Sequence, residues 1–151
     1  KGGNKMKSIN KFTLTVNSNS SNESFVRVAV ASFISQLDPT IDELCDIKTA
    51  VSEAVTNCIV HAYKDTIGSI YITCEIFDGR SISVKIRDRG CGIPDVKQAM
   101  EPLFTTGGSE RAGLGFAVME SFMDKIIVKS VVGRGTTVIL KKKLSLRVNN
   151  G

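Results

Sequence analysis

The stretch Thr40–Tyr63 constrains this chain more than any other. Pro39 disfavours helix at Asp38 before it, and Thr40 with Glu43 three positions on fits a capping box. At about 100° per residue, Leu44, Ile47, Val51, Val55, Cys58, Ile59 and Ala62 gather on one side of a helix. Asp42, Asp46, Thr49, Glu53, Asn57 and Lys64 fall opposite. So long an apolar stripe has to be buried against a second layer. On the polar face, Glu53 and Asn57 are one turn apart and side by side. A carboxylate and a carboxamide in that relation can share a hard cation and hold a proton acceptor beside it. Taken alone, a polar face means solvent.

The rest of the chain supplies alternating runs and one more helical pattern ahead of this one. Asn10–Val16 alternates around Phe12, Leu14 and Val16, as a half-buried strand does. After a Ser/Asn loop, Ser20 and Glu23 fit a capping box, and apolar residues recur from Phe25 through Leu37, predicting a first helix. Arg27 is the one basic residue on it, and by itself reads as an exposed helix charge. Ile70–Phe77 and Ser81–Arg87 flank Asp78-Gly79, a strong hairpin signal. Lys125–Val132 and Thr136–Lys143 flank Gly133-Arg134-Gly135, a second one.

Bulk properties narrow the function classes. A chain of 151 residues, 42% hydrophobic and 23% charged, has the make-up of one soluble domain. Lys1–Lys5 before Met6 reads as a cloning remnant, leaving residues 6–151 as the domain. No apolar run approaches the roughly 20 residues a bilayer requires, and no signal-peptide pattern is present, so a cytoplasmic location is expected. Cys45, Cys58, Cys74 and Cys91 form no CxxC pair, and His61 is the sole histidine. Free thiols are therefore expected rather than a metal cluster or disulfides. The net charge of +5 concentrates near the termini. With no recognition element beside it, this reads as solvated tails rather than a nucleic-acid surface.

Two glycine motifs and one carboxylate carry chemistry. In Ser81–Arg87 the residues Ile82, Val84 and Ile86 share a face, and continuing the alternation puts Asp88 on it. A carboxylate aimed at a core is costly unless something donates to it; alternatively the strand ends at Arg87 and Asp88 caps a turn. Gly90-Cys91-Gly92-Ile93 follows, where small residues allow backbone to approach a ligand. A short helix is expected over Asp95–Met100, then a mobile loop through Thr105-Thr106-Gly107-Gly108 to Ala112. Gly113-Leu114-Gly115 is read as opening a helix whose first N–H groups suit an anion. There is no GxxxxGK[ST] loop, no GxGxxG after a strand, and no nucleophile elbow to accompany His61, which reads as a structural helix-end residue.

Taken in order, Glu53-x-x-x-Asn57, Asp88-x-Gly90-x-Gly92-Ile93, a Thr/Gly loop, Gly113-x-Gly115 and Gly135-Thr136-Thr137 resemble the GHKL (Bergerat-fold) superfamily of histidine kinases, DNA gyrase and the heat-shock chaperones. The resemblance spans about Lys11 to Lys143. It implies an α+β fold: a two-layer sandwich in which a mixed, mostly antiparallel sheet is covered on one face by helices. Asn22–Val28, Ser52–Asn57, Pro102–Thr106 and Met119–Asp124 are similar to the anti-sigma F factor family within it.

That resemblance implies an ATP-dependent anti-sigma factor and protein serine kinase. It would bind a sigma F-like sigma factor, phosphorylate an anti-sigma factor antagonist and form a homodimer, without direct contact to nucleic acid or membrane. It implies ATP or ADP with Mg²⁺ as cofactors. Asp88 would accept from the adenine amine, with Thr136 assisting and Gly90, Gly92 and Ile93 around the base. Asn57 would be the Mg²⁺ ligand, and Glu53 the base for the attacking serine hydroxyl. Thr105, Thr106, Gly107, Gly108, Arg111 and Ala112 would form the lid over the phosphates. Gly113, Leu114 and Gly115 would present N–H groups to them, and Arg27 would contact a partner. One departure is visible: Gly107-Gly108 stand where members of the family often carry lysine and proline, removing a charge and loosening the loop. The competing expectation is a nucleotide-gated binding module without catalysis, which has no need of a base at Glu53.

Overall fold

The computed structural model describes residues 6–101 and 110–146, with side chains from Gly115 onward in the second segment. Thr105, Thr106, Gly107 and Gly108 lie outside the described residues, as do the side chains of Arg111, Ala112 and Leu114.

Five strands form one sheet: β1 (Ser8–Asn17), β2 (Ser69–Phe77), β3 (Ser81–Asp88), β4 (Lys125–Val131) and β5 (Gly135–Lys143). Their spatial order is β1-β2-β3-β5-β4, and every neighbouring pair is antiparallel. The expected mixed sheet is thus purely antiparallel among the described residues. The reason is topological: each pairing joins strands linked by a hairpin or a return across the helical layer, with no parallel crossover.

Alternation decides which face is covered. Ile70, Ile72, Cys74 and Ile76 of β2, Ile82, Val84 and Ile86 of β3, and Val138 and Leu140 of β5 point to one side and are buried. The helices α1 (Asn22–Ile34), α2 (Ile41–Asn57) and α4 (Glu110–Phe122) close over that side, while α3 (Val96–Met100) is a single turn capped by Asp95. From α2 come Ile47, Ala50, Val51, Ala54 and Val55, all essentially inaccessible. Phe116 and Met119 come from α4, and Val26, Val30 and Ile34 from α1. Burying one such side chain is worth roughly 1.5–3 kcal/mol, so this row holds α2 between its two helical neighbours and the sheet.

Local signals differ in how they are used. The capping box at α2 is present in both directions: Thr40 N–H donates to Glu43 Oε1 at 2.9 Å, and Glu43 N–H to Thr40 Oγ1 at 3.0 Å. The box expected from Ser20 and Glu23 is absent. The cap position of α1 is Ser21, which makes no side-chain cap bond, and the backbone and hydroxyl of Ser21 both donate to Asn19 Oδ1. Glu23 instead holds Arg27 Nε at 3.0 Å and accepts from Ser52 Oγ of α2 at 2.8 Å.

The helix read from Thr40 to Tyr63 is not uniform. The α-helix stops at Asn57, and Cys58–Ala62 forms a π-turn, with Tyr63 N–H donating to the Cys58 carbonyl at 3.1 Å. The widened turn brings Tyr63 inward. Its hydroxyl donates to the Ser69 carbonyl at 2.7 Å and accepts from Arg89 N–H at 2.6 Å.

Candidate functional site

The floor of the site is the C-terminal half of α2. Glu53 and Asn57 are half-buried rather than solvated, because α4 crosses above them. The place a Cβ would take on Gly115 lies 3.2 Å from both amide atoms of Asn57 and 3.3 Å from Glu53 Oε2. Glycine lets the two helices come this close without displacing either side chain. Asn57 Nδ2 is buried with no hydrogen-bond partner among the described residues. An orphaned amide costs about 1–3 kcal/mol. The same amide carries an acceptor oxygen beside this donor.

The helix expected to open at Gly113 begins earlier. Since α4 starts at Glu110, both Gly113 and Gly115 lie inside it, and their N–H groups point along the helix to earlier carbonyls rather than outward. Gly115 serves close helix packing here rather than an exposed anion cradle.

At the other end sits Asp88. The inward reading holds, and of the alternative the turn holds but not the strand end at Arg87. Asp88 is the last residue of β3, opposite Ile70, and it is buried, 5% exposed. It also forms the Asx-type turn with Gly90. Oδ1 accepts from Gly90 N–H at 2.9 Å and from Thr136 N–H at 3.1 Å. Oδ2 receives the thiol of Cys58 at 3.5 Å, a weak donor. The carboxylate is therefore stabilised on one oxygen and under-committed on the other. Burial pushes the Cys58 thiol well above its ordinary value, and the charge of Asp88 and the hydrogen bond to it add to this, so the thiol keeps its proton.

Gly90 and Gly92 serve the protein first. A Cβ on Gly90 would strike the Ala62 carbonyl, and one on Gly92, at φ 77°, would strike the Val131 carbonyl. The loop is wedged between the end of α2 and the β4–β5 hairpin, with Cys91 N–H on the Ala62 carbonyl at 3.2 Å and Gly133 N–H on the Cys91 carbonyl at 2.8 Å. Gly135 is equally confined: at φ 128°, a Cβ on it would strike the Asp88 carbonyl.

Two adjoining hollows connect these ends. One of about 50 Å³ is lined by Cys58, Asp88, Gly92, Ile93, Phe116 and Thr136 among others. A second, of about 200 Å³, is lined by Glu53, Thr56, Asn57, Val60, His61, Gly115 and Val118. Asn57 and His61 border both. A third, of about 300 Å³, lies on the far side of Glu53 among Arg27, Cys45, Lys48, Thr49 and Ser52. A larger hollow of about 550 Å³ lies against the uncovered sheet face, far from these groups.

The structure thus gathers Glu53, Asn57, Asp88, Gly92, Ile93, Gly115 and Thr136 around two hollows that share Asn57 and His61. Arg27 stands apart from Asp88 and lines a hollow with Glu53. Three contributors went unsuspected in sequence: Cys58, Tyr63 and Ser130. Ser130 Oγ accepts from Ile93 N–H at 2.7 Å and meets Thr136 Oγ1 at 2.7 Å. Their pattern is ordinary for a helix end and a strand, so only tertiary pairing reveals them.

Comparison with known proteins agrees with this arrangement. Residues 17–142 match the model of the histidine kinase-like ATPase domain. The chain is 56% identical to an anti-sigma F factor of Clostridium novyi, over 89% of this chain and 95% of that one. It is 53% identical to the anti-sigma F factor of Geobacillus kaustophilus, over 90% and 94%. Among solved structures, the RsbU and RsbW domains of Rv1364c from Mycobacterium tuberculosis align with a TM-score of 0.67 at 19% identity, covering 90% of this chain and 32% of that one. The histidine kinase domain of the Erythrobacter litoralis EL346 blue-light activated kinase aligns at 0.54 and 21%, covering 81% and 61%. The structures share the fold, and the near-complete sequence matches carry the family: the chain belongs to the anti-sigma F factors, within the histidine kinase-like ATPase domain family.

Proposed function

We propose that the protein is an ATP-dependent anti-sigma factor that binds a sigma F-like sigma factor and phosphorylates a serine of an anti-sigma factor antagonist. The observation that carries this reading is the position of Glu53. It borders the hollow shared with Asn57 and Gly115 on one side and the hollow lined by Arg27, Lys48 and Ser52 on the other. A base that transfers a phosphoryl group between a small molecule and a protein needs to face both.

The residues divide the work by chemistry. Asp88 Oδ2 accepts from the exocyclic amine of adenine, displacing the weak thiol contact, and Thr136 assists at the same edge. Asn57 turns its amide oxygen toward a cation. Mg²⁺ suits this donor set, since it takes few protein ligands and fills its shell with phosphates and water. When bound, it neutralises charge on the phosphates. Glu53 takes the proton of the acceptor serine as its oxygen attacks the γ-phosphorus and the bond to the β–γ bridging oxygen breaks, leaving ADP. Arg27, steadied by Glu23, faces the incoming protein, and the chain works as a homodimer. Arg111, Ala112, Gly113 and Leu114, with the Thr105–Gly108 stretch, complete the phosphate side.

Labelled ATP, Mg²⁺ and an anti-sigma factor antagonist test the reading directly. Label is expected on serine. Glu53→Ala is expected to lower transfer by at least about 100-fold while ATP affinity stays within a few-fold. Unchanged transfer would remove Glu53 from the chemistry, whereas no label on serine with the unaltered chain would leave a nucleotide-gated binding module. Asn57→Ala is expected to erase the difference between ATP affinity with and without Mg²⁺.

A further inference from the structure

We propose that Ser130 is a positioning residue for nucleobase choice, fixing the Thr136 hydroxyl so that the Thr136–Asp88 wall of the base pocket presents only acceptors. The inference rests on the adenine reading given above.

The argument is proton accounting. Ser130 Oγ has three close neighbours: Ile93 N–H at 2.7 Å, the Gly135 carbonyl at 3.1 Å and Thr136 Oγ1 at 2.7 Å. Its hydroxyl carries one proton and two lone pairs. The Ile93 N–H donates to it. The Gly135 carbonyl only accepts, so it takes the Ser130 proton. The third contact is then satisfied in one way, with Thr136 O–H donating to Ser130. No other placement of single protons fills all three contacts at once.

The consequence falls on the cavity. Thr136 is 8% exposed and lines the base pocket beside Asp88. With its proton turned to Ser130, Thr136 Oγ1 has only lone pairs left for a ligand. Asp88 Oδ2 likewise offers only lone pairs. The polar wall therefore favours an edge that donates, such as the amine of adenine or a water donating onward to the ring. It disfavours a carbonyl in that place, as in hypoxanthine. A site that leaves buried acceptors facing an acceptor discriminates strongly.

The test measures affinity for ATP and for inosine triphosphate in the whole chain. Wild type is expected to prefer ATP. In Ser130→Ala, Thr136 loses its acceptor and is free to donate into the pocket, so the ATP-to-inosine ratio is expected to shrink about ten-fold. Ser130→Thr keeps the hydroxyl and is expected to keep the ratio. Thr136→Val removes the wall oxygen and is expected to narrow the ratio as Ser130→Ala does, which keeps the test informative if Ser130→Ala folds poorly. Equal weakening of both nucleotides in Ser130→Ala, or an unchanged ratio in Thr136→Val, would reduce Ser130 to a structural hydroxyl and overturn the proposal. Failure of wild type to bind ATP would overturn the adenine reading itself, a separate result.

Discussion

Asp88 shows how a single residue was partly legible. Its phase in the β3 alternation points it inward, and that much needs only the period of a strand. Which of its oxygens remains available depends on Gly90, Thr136 and Cys58, one of them 48 positions away. Asp88→Asn is expected to keep the fold, because an amide oxygen can replace Oδ1. It replaces Oδ2 by a donor, so ATP affinity is expected to fall about ten-fold or more by titration calorimetry. The buried thiols give a pH test. Burial pushes Cys74 from an ordinary 9.0 up to about 12, so the folded state holds this proton more tightly than the unfolded one. The stabilisation is complete below pH 9 and is lost as pH rises toward the folded value. Over that window Cys74 contributes a downward slope of about 1.4 kcal/mol per pH unit. Chemical denaturation of Cys74→Ala is expected to be flatter by that amount, and an unchanged slope would contradict the assignment.

Elements were legible where the signal is local and misread where a neighbour intervenes. The α2 box is a four-residue motif and holds. The α1 box fails because Glu23 is claimed by Arg27 and by Ser52, 29 positions away. The π-turn at Cys58–Ala62 had no sequence signal, since its residues keep an acceptable α-helical wheel. Thr40→Ala is expected to cost about 1 kcal/mol, read from the urea midpoint. Glu43, the other half of that box, also receives Ser145 N–H at 2.7 Å. Burial raises its pKa, but the donated bonds from Ser145 and Thr40 outweigh this and hold it below the ordinary 4.5. For α4, Gly115 lies on Glu53 and Asn57 while Phe116 fills the base end. The hollows of about 50 and 200 Å³ fall short of the 300–1,000 Å³ usual for ligand pockets. Nucleotide entry is therefore expected to lift the first turns of α4, seen as altered hydrogen exchange over residues 115–119 when ATP and Mg²⁺ are added.

At the scale of the molecule, the two-layer plan was legible and the strand order was not. Hairpins announce β2–β3 and β4–β5, but nothing local says that β5 rather than β4 abuts β3. That choice brings Thr136 beside Asp88, and so it makes the pocket. Its consequence reaches into protein synthesis. Until β5 is made, β3 is an edge strand, and Asp88 lacks the Thr136 N–H that half satisfies its carboxylate. The hollow between Asp88 and Thr136 is therefore among the last features of the fold to be completed, after β5 has been made.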